Sequence, residues 1–480
     1  MPQPNAFTYR SLDALREDVA RRGLEVGFDE DVSCLAEPLI VGGHKVPNRL
    51  GVLPMEGCDG TADGRPGDLT RRRYVRFAQG GSGLLWFEAV AVERMGRANP
   101  RQLWIHRDNW EDFARLREEA VAAAREAMGR DHEPFTIIQL VHSGRYSRPI
   151  DVPRPVISHH CPYLDPASKI GPDHPVITDG ELEALEDAYV EAARLAGRAG
   201  FTAVDLKASH RYLGSELLAG FTRPGRYGGS FENRTRFLLN TVRKVRDQVP
   251  GLIIVVRLGV YDGLPYPWGW GAAKDGFTGD PATAPRDPAA WPGPRVPPGP
   301  TATPDLTEPI RLARLLRDAG VALINVTMGN PYFAPHVTRP HDQGIVGQYV
   351  PEEHPLVGVN RHFTLTREIQ RAVPEIPVAG SGYSWLRQFV GQAAAHNVRR
   401  GWVALAGMGR QAFAYPEYAR DLLEKGRLDP RRSCVTCSKC TQIMRDGGQT
   451  GCVTQDRALY RPIYLAGRER ATKPSATSKE

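Results

Sequence analysis

Eight short apolar runs recur along this 480-residue chain and constrain its fold more than any other feature. Most precede a segment with helical periodicity, such as residues 182–200, where apolar residues recur every three or four positions. Runs without apolar/polar alternation indicate strands buried on both faces, as in a parallel sheet. Eight such repeats predict an α/β protein, a (β/α)8 TIM barrel, rather than an open doubly wound sheet. The runs are LGVLPM (50–55), LLWFEAVAV (84–92), FTIIQLVH (135–142), TAVDLKA (202–208), LIIVVRLG (252–259), ALINVTMG (322–329), PVAGS (377–381) and WVALAG (402–407).

The domain organisation follows from where the repeats begin and end. The barrel is predicted over residues 35–427, after an N-terminal extension (1–34) and before a small cysteine-rich C-terminal segment (428–480). The charged, Ser/Thr/Lys-rich end of the chain, residues 467–480, is expected to be disordered.

Two long insertions interrupt the repeats after the third and fifth predicted strands, at residues 146–176 and 264–306. Loops that follow barrel strands lie at the catalytic end of a TIM barrel, so both insertions are expected to border the active site. Trp268 and Trp270 lie in the second insertion and favour a lid over a disordered loop.

Composition excludes several classes of protein. Hydrophobic residues at 41% and charged residues at 24% are globular values. The net charge of +7 is mild and no long basic tract is present, so nucleic acid is not an expected partner. No apolar stretch reaches the roughly 18 residues of a membrane span, and the N-terminus lacks a signal-peptide pattern. A cytoplasmic protein is predicted.

Four of the seven cysteines form a tight cluster, Cys434, Cys437, Cys440 and Cys452, with the spacing C-x2-C-x2-C-x11-C. Such a set indicates an intracellular metalloprotein rather than a disulfide-stapled one. Three thiolates close together and a fourth from a returning loop favour a [4Fe-4S] cluster. Structural zinc is the alternative, although it more often uses two separated C-x2-C pairs. Four free thiols are the least favoured interpretation.

Several motifs resemble the old yellow enzyme family of NADH:flavin oxidoreductases, in the expected order. They are NRLGVLPM (48–55), IIQLVHSGR (137–145), HRYLGSELL (210–218), RYGGSFENRTRFLLNTV (226–242) and GMGR (407–410). The cysteine block behind the barrel resembles the iron–sulfur subfamily of trimethylamine dehydrogenase and 2,4-dienoyl-CoA reductase. The resemblance covers about residues 35–455 and implies FMN as a cofactor.

The resemblance also implies the FMN-binding residues. Those expected to contact the flavin ring are Pro54, Met55 and Glu56 after the first strand, Ala89 after the second, Gln139 at the pyrimidine edge and Arg257 beside N1 and C2=O. Residues 407–412 (GMGRQA) also match a dinucleotide fingerprint, but they follow the last strand, so a barrel phosphate site is the better interpretation. Its expected donors are Gly382, Tyr383, Gly409 and Arg410.

At the end of the fourth predicted strand, the resemblance implies a catalytic set. Lys207 and His210 would hold a substrate carbonyl or carboxylate, and Tyr212 would protonate carbon. Lysine at the first position favours an anionic or strongly polarised acceptor. Tyr332 and His336 are the next candidates for a proton donor.

Three departures from the subfamily shape the expectation further. Glu56 stands where trimethylamine dehydrogenase carries its flavin-linked cysteine, so FMN is expected to be non-covalent. Ala89 replaces an aromatic residue of that enzyme's amine-binding bowl. The chain of 480 residues lacks room for the subfamily's C-terminal FAD and NAD domains, which predicts an external electron donor such as a ferredoxin, a flavodoxin or a reductase subunit.

The predicted function is reduction of an activated C=C bond in an enone, enoate or enoyl thioester, with hydride from FMN N5 and a proton from Tyr212. The alternative enzyme is an oxidative N-demethylase or amine dehydrogenase of the same fold. An alternative of another class is a non-catalytic, zinc-stabilised barrel. A homo-oligomer is compatible with all three.

Overall fold

A computed structural model describes residues 6–285 and 302–472. Its centre is a closed barrel of eight parallel strands, with the order β10-β3-β4-β5-β6-β7-β8-β9, and a two-stranded hairpin, β1-β2, precedes it. The strands are β1 (Leu39–Val41), β2 (His44–Val46), β3 (Leu50–Val52), β4 (Leu84–Ala91), β5 (Phe135–Val141), β6 (Ala203–Leu206), β7 (Ile253–Gly259), β8 (Leu323–Thr327), β9 (Val378–Gly380) and β10 (Leu405–Met408).

Helices follow the barrel strands and enclose them. They are α1 (Leu12–Arg21), α2 (Asp68–Gln79), α3 (Trp110–Met128), α4 (Asp165–Ser168), α5 (Asp179–Arg198), α6 (Leu213–Leu218), α7 (Phe231–Gln248), α8 (Thr307–Asp318), α9 (Pro335–Thr338), α10 (Pro355–Ala372), α11 (Val390–Arg399), α12 (Arg410–Ala414), α13 (Tyr418–Lys425), α14 (Lys439–Arg445) and α15 (Arg457–Thr472). In the described part of the chain no helix is both long and apolar enough to cross a membrane.

The barrel strands match the eight apolar runs, which confirms the predicted fold class. All eight residues of β4 and all seven of β5 are buried, because one face packs inside the barrel and the other against the helices. Helix α5 shows why the intervening segments are helical. Its N-terminus carries a capping box, in which the Thr178 hydroxyl accepts from the Glu181 backbone and the Glu181 carboxylate accepts in return.

The hairpin β1-β2 closes the amino-terminal end of the barrel. Val41 and Val46 are fully buried there, in one apolar cluster with Leu84 and Phe135 at the start of two barrel strands. The hairpin therefore closes this end with apolar packing. The N-terminal extension joins the main core elsewhere, because Phe7 packs edge-on against Trp385, which follows the carboxyl end of β9, with ring centroids 5.2 Å apart.

The two insertions contact each other above the opposite end. Cys161 and Leu164 of the first share a buried cluster with Leu264 and Trp268 of the second. Trp270 is also buried, and its indole Nε1 donates to the carbonyl of Gly259, 2.8 Å away. Both tryptophans thus anchor the base of the insertion by burial, and the lid stays a prediction. Residues 286–301 of the second insertion lie outside the described residues.

The cysteine-rich segment packs on the barrel. Asp456 accepts hydrogen bonds from Arg72 (2.7 Å) and Arg76 (2.6 Å) of α2, and Thr450 N donates to the Gly57 carbonyl at 2.6 Å. The prediction of disorder from residue 467 onward is wrong for 467–472, which continue helix α15. The remaining residues, 473–480, lie outside the described part.

Candidate active site

A cavity opens at the carboxyl ends of the barrel strands and holds nearly all the residues predicted for the site. We call it the inner cavity; its lining includes Pro54, Met55, Glu56, Ala89, Gln139, Lys207, His210, Tyr212, Arg257, Gly382, Gly409 and Arg410. The barrel brings together residues that are more than 350 positions apart in the chain, because every strand ends at the same rim.

Tyr383 is the predicted residue that does not line this cavity. Its ring is buried in the core, where the hydroxyl accepts from Asn397 Nδ2 at 3.0 Å. Its neighbour Ser384 lines the cavity instead. The expectation that the Tyr383 backbone N–H binds phosphate stays a prediction.

Asp205 organises the floor of the cavity, and the sequence analysis did not identify it. Its carboxylate accepts from Gln139 Nε2 (2.5 Å), from the Arg257 backbone N–H (2.7 Å) and from Trp86 Nε1 (3.0 Å). Burial raises the pKa of Asp205 to about 6, against the opposing effect of the Gln139 hydrogen bond. Asp205 thus holds the Gln139 amide nitrogen and the Arg257 backbone, the two flavin-edge positions predicted from the sequence, at one buried carboxylate.

Tyr212 lies at the centre of a polar group on one wall. Its hydroxyl donates to Glu56 Oε1 at 3.2 Å and is 3.2 Å from the Tyr332 hydroxyl. Lys207 Nζ lies 3.8 Å from the centre of the Tyr212 ring. Tyr332, the alternative proton donor of the sequence analysis, is therefore next to the first choice, whereas His336 contacts Tyr349 and does not line the cavity.

Burial changes the charge states of this wall. It lowers the pKa of Lys207 to about 8, with the Glu56 carboxylate opposing and Arg257 reinforcing the shift. It also raises the pKa of Glu56, and it raises the pKa of Tyr212 well above its ordinary value, with Glu56 adding to the effect. Tyr212 is thus held as a neutral phenol that has a proton to give.

His210 occupies a turn with unusual backbone geometry. Its φ is +64° and that of Arg211 is +60°, a region that non-glycine residues rarely adopt. The ion pair from Arg211 Nη1 to Asp262 Oδ2 (3.1 Å) is buried and helps to hold the turn. His210 Nε2 is 3.4 Å from Thr327 Oγ1, and burial together with Arg257 holds the pKa of His210 well below its usual range. The imidazole is consequently neutral.

The predicted phosphate end has the features of an anion site. Gly382 has φ +92°, and a Cβ there would lie 2.5 Å from the His362 ring, so glycine is required. Arg410 Nη2 donates to the Pro340 carbonyl at 2.7 Å, while its Nη1 is buried and has no partner among the described residues. A buried guanidinium nitrogen without a partner fits a phosphate oxygen.

The fit to FMN extends to the ring end. Arg257 Nη1 donates to the Pro54 carbonyl at 3.4 Å, and Arg257 Nε is buried and unpartnered in the described structure. Burial lowers the pKa of Arg257 to about 10, so the side chain remains charged at neutral pH. A fixed cation beside a polar amide suits the N1/C2=O edge of a flavin. The residues present therefore fit FMN at both ends.

The roof of the inner cavity comes from the C-terminal part of the chain, and local sequence patterns did not identify it. Arg339 precedes this segment, and Thr441, Met444, Arg445 and Thr450 belong to it. Arg445 lies over the Tyr332 ring, with its Cζ 4.4 Å from the ring centre. The cysteine-rich segment therefore contributes directly to the candidate active site.

The four clustered cysteines line one small cavity of their own, between Arg410 and residues 452–455. Cys434 is buried, and the Thr436 backbone N–H donates to its Sγ at 3.4 Å, as the Gln455 N–H does to Cys452 Sγ at 3.3 Å. Four cysteines that line one cavity, two of them with backbone donors to the sulfur, supply the residue types that a cysteine-ligated cluster needs. Within the described residues, however, no group of three or more His, Cys, Asp or Glu side chains is arranged to hold a metal ion, so the cluster stays a prediction.

Comparison with known proteins finds similarity to flavin oxidoreductases. A model of the NADH:flavin oxidoreductase / NADH oxidase family matches residues 34–266. An NADPH dehydrogenase of Geobacillus sp. (strain WCH70) is 33% identical over 225 residues, which cover 46% of this chain and 62% of the relative. An NADH oxidase of Thermoanaerobacter brockii is 26% identical over 436 residues, 89% of this chain and 56% of the relative.

Among solved structures, a complex of 2-naphthoyl-CoA reductase with 2-naphthoyl-CoA has a TM-score of 0.66 at 19% identity and covers 94% of this chain and 60% of that one. That likeness concerns the fold. The chain spans about three fifths of the length of the first curated relatives that it matches. Over residues 34–266, the chain is similar to the NADH:flavin oxidoreductase / NADH oxidase family.

Proposed function

We propose that the protein is an FMN- and [4Fe-4S]-dependent oxidoreductase that reduces an activated C=C bond. The observation that carries the proposal is Tyr212, a buried neutral phenol hydrogen-bonded to Glu56 and flanked by Lys207 in the inner cavity. Flavin relatives and the orphaned guanidinium nitrogens of Arg257 and Arg410 support FMN as the redox group.

FMN, when bound, supplies a hydride from N5. Gln139 and Arg257 would hold its ring, and Arg410 its phosphate. Lys207 as an ammonium and His210 as a neutral donor polarise the carbonyl conjugated to the double bond, so that the β-carbon accepts the hydride. Tyr212 then gives its hydroxyl proton to the α-carbon. The product contains one new C–H bond at each carbon.

Glu56 completes the proton path. Its carboxyl group accepts the Tyr212 hydroxyl hydrogen bond at 3.2 Å, and burial raises its pKa, so it can hold a proton and return it to the phenolate. Glu56 also borders the solvent-connected space outside the inner cavity. Glu56 would therefore reprotonate Tyr212 from the side of the cavity that faces away from the barrel floor.

The contacts of the aromatic residues disfavour amine oxidation. Tyr146, Tyr212 and Tyr332 form an aromatic wall, which could hold a cationic amine through its ring faces. Two of those faces already carry protein cations, Lys207 over Tyr212 and Arg445 over Tyr332. A second cation would meet repulsion at both rings.

We further propose that electrons reach FMN through the cysteine-ligated cluster from an external one-electron donor. Cys440 and Arg410 border both the cysteine cavity and the inner cavity, so a cluster would be adjacent to the flavin site. The exposed cations Arg431, Lys439 and Arg457 near the cysteines favour an acidic donor protein, such as a ferredoxin or flavodoxin.

Two experiments test these assignments. Protein purified without oxygen should contain about four irons, acid-labile sulfide and one non-covalent FMN per chain. Stoichiometric zinc without acid-labile sulfide would contradict the iron–sulfur assignment and support a zinc-stabilised barrel. Enones should reoxidise the dithionite-reduced flavin, and N-methyl compounds should not reduce the oxidised flavin; the opposite pattern would assign amine oxidation instead.

The electron route is tested separately with Cys437→Ser. This variant should lose reduction of FMN by a ferredoxin and its reductase, while dithionite still reduces the flavin. The matched control is Cys161→Ser, a cysteine buried outside the cluster. Fast reduction by NADH alone, unchanged by Cys437→Ser, would contradict the proposed route.

A further inference from the structure

A second cavity lies directly outside the inner cavity and shares Glu56, Tyr332, Met444 and Arg445 with it. We call it the outer cavity. Its remaining walls come mainly from residues 98–101, from the first insertion with the preceding Arg145, and from the C-terminal segment, with Cys58 and Phe333 completing them. Tyr332 stands between the two spaces, stacked on Tyr146 with ring centroids 3.7 Å apart. A substrate that reaches Tyr212 through the outer cavity passes this pair.

The lining of the outer cavity is strongly basic. It contains six cationic side chains, Arg101, Arg145, Arg148, Lys169, Arg445 and Arg470, and three carboxylates, Glu56, Asp151 and Asp446. One cation and one carboxylate are neutralised by partners outside the lining. Arg145 is buried against Glu216 (2.9 Å) and Asp165, and Asp446 pairs with Arg468 at 3.2 Å.

The other five cations form no ion pair within the described residues. Arg101 donates to the carbonyls of Cys58 (2.9 Å) and Gly447 (2.6 Å). Arg148 donates to the Asp151 carbonyl at 2.9 Å. These carbonyls accept hydrogen bonds but carry no negative charge, so the five cations outnumber the two remaining carboxylates of the lining, Glu56 and Asp151.

An unpartnered hydroxyl provides a second, independent observation. Ser147 lines the outer cavity, is 1% exposed, and its Oγ is buried with no hydrogen-bond partner in the described parts of the chain. Leaving such a group unsatisfied is costly, because desolvation is not repaid. A bound acceptor group would satisfy it.

We propose that the outer cavity binds an anionic group, a carboxylate or a phosphate, on the part of the substrate remote from the reacting double bond. The proposal rests on the proposed function and narrows its substrate class to elongated, anionic unsaturated carbonyl compounds. Five cations against two carboxylates, Glu56 and Asp151, leave an excess of positive charge around one concave space, which concentrates anions there and repels amines. The planar Arg101 and Arg148 groups suit the oxygen fork of either anion.

The experiment uses the FMN-loaded, reduced protein and four enones of equal chain length, ending in a carboxylate, its methyl ester, a phosphate or a trimethylammonium group. Binding is measured by calorimetry to the oxidised protein and turnover by flavin reoxidation. The carboxylate or phosphate should exceed the ester in kcat/KM and in affinity by about tenfold or more, with the advantage decreasing as salt rises. The preference between the two anions shows which group the outer cavity binds better.

The double variant Lys169→Glu/Arg470→Glu tests whether the preference for anions arises from the outer cavity. Both side chains are exposed, so charge reversal should leave folding intact. The anion-to-ester ratio should fall by about tenfold or more, because two positive charges become negative. The control Lys45→Glu changes an exposed charge on β2 at the closed end and should keep the wild-type ratio.

The outcomes separate this inference from the proposed function. If all four enones are reduced with equal kcat/KM and bind equally, or if the trimethylammonium compound is preferred, the anion site is overturned while enone reduction stands. If no enone reoxidises the flavin, the proposed function fails, and the calorimetric preference still decides whether the outer cavity selects anions.

Discussion

The two ends of the barrel are built from the same eight strands but differ in chemistry. At the amino-terminal end, the hairpin β1-β2 covers the strands with Val41 and Val46, and the contacts are apolar. At the carboxyl end, the strands finish in buried polar groups such as Gln139, Asp205 and Arg257. The amino-terminal end therefore stabilises the fold, whereas the burial of polar groups at the carboxyl end lowers its stability.

The largest expected effect is at the carboxyl end. Tyr212→Phe should slow reoxidation of the reduced flavin by an enone about 10²- to 10⁴-fold, because the proton donor is removed. Tyr227→Phe is the matched control, since it deletes another buried hydroxyl, bonded to Glu186 at 2.9 Å on the barrel exterior. Stopped-flow absorbance measures both. A Tyr212→Phe variant with normal rates would transfer the role to Tyr332.

Asp205→Asn should weaken FMN binding by about 10- to 100-fold. Asparagine retains one acceptor oxygen for three donors, and lost hydrogen bonds to a charged group cost about 1.5–3 kcal/mol. Asp187→Asn, at an exposed pair with Lys244, is the control. Fluorescence titration of the apoprotein with FMN gives both dissociation constants. Equal constants would show that Asp205 does not organise the cavity floor.

The rate of enone reduction should fall about tenfold per pH unit above pH 8. The pKa of Lys207 is lowered to about 8, so the ammonium that polarises the carbonyl is lost as pH rises through that value. Lys207→Arg keeps its charge throughout this range and should flatten the decline. A pH profile of kcat/KM checks this, and an unchanged profile in Lys207→Arg would assign the titration to another group.

The smallest catalytic effect is expected at the closed end. Val41→Ala removes buried apolar volume and should lower the free energy of unfolding by about 1–2 kcal/mol, with kcat and KM unchanged. Ile40→Ala, whose side chain is 60% exposed, should change stability by less than about 0.5 kcal/mol. Urea unfolding and steady-state kinetics measure the pair. A loss of activity in Val41→Ala would mean that the two ends are coupled.

The sequence alone predicted the eight strands, because a buried parallel strand carries its signal in a few consecutive residues. Gln139, Lys207 and Arg257 came from the family resemblance, whose motifs place each of them at or just beyond a recognisable strand. Asp205 was missed, although a carboxylate inside the apolar run TAVDLKA was a visible signal.

The roof of the inner cavity could not be predicted from strand patterns. Arg339 and Arg445 reach the cavity through the tertiary packing of loops and of the C-terminal segment, which leaves no periodicity in the chain. The helical residues 467–472 were missed for a related reason: their composition is that of a tail, and their order comes from packing, as when Gly467 lies against Asp446. Local sequence patterns predict secondary structure, whereas the positions of irregular segments depend on long-range tertiary contacts.

Helix α14 has a mechanical consequence. Cys440 lies near its start and Arg445 at its end, so the same short helix carries one of the four clustered cysteines and one wall residue of the inner cavity. A shift of the helix that repositions the Cys440 sulfur also moves the Arg445 guanidinium, which lies over the Tyr332 ring. A displacement of the cysteine site would therefore also change the shape and charge of the cavity wall at Tyr332.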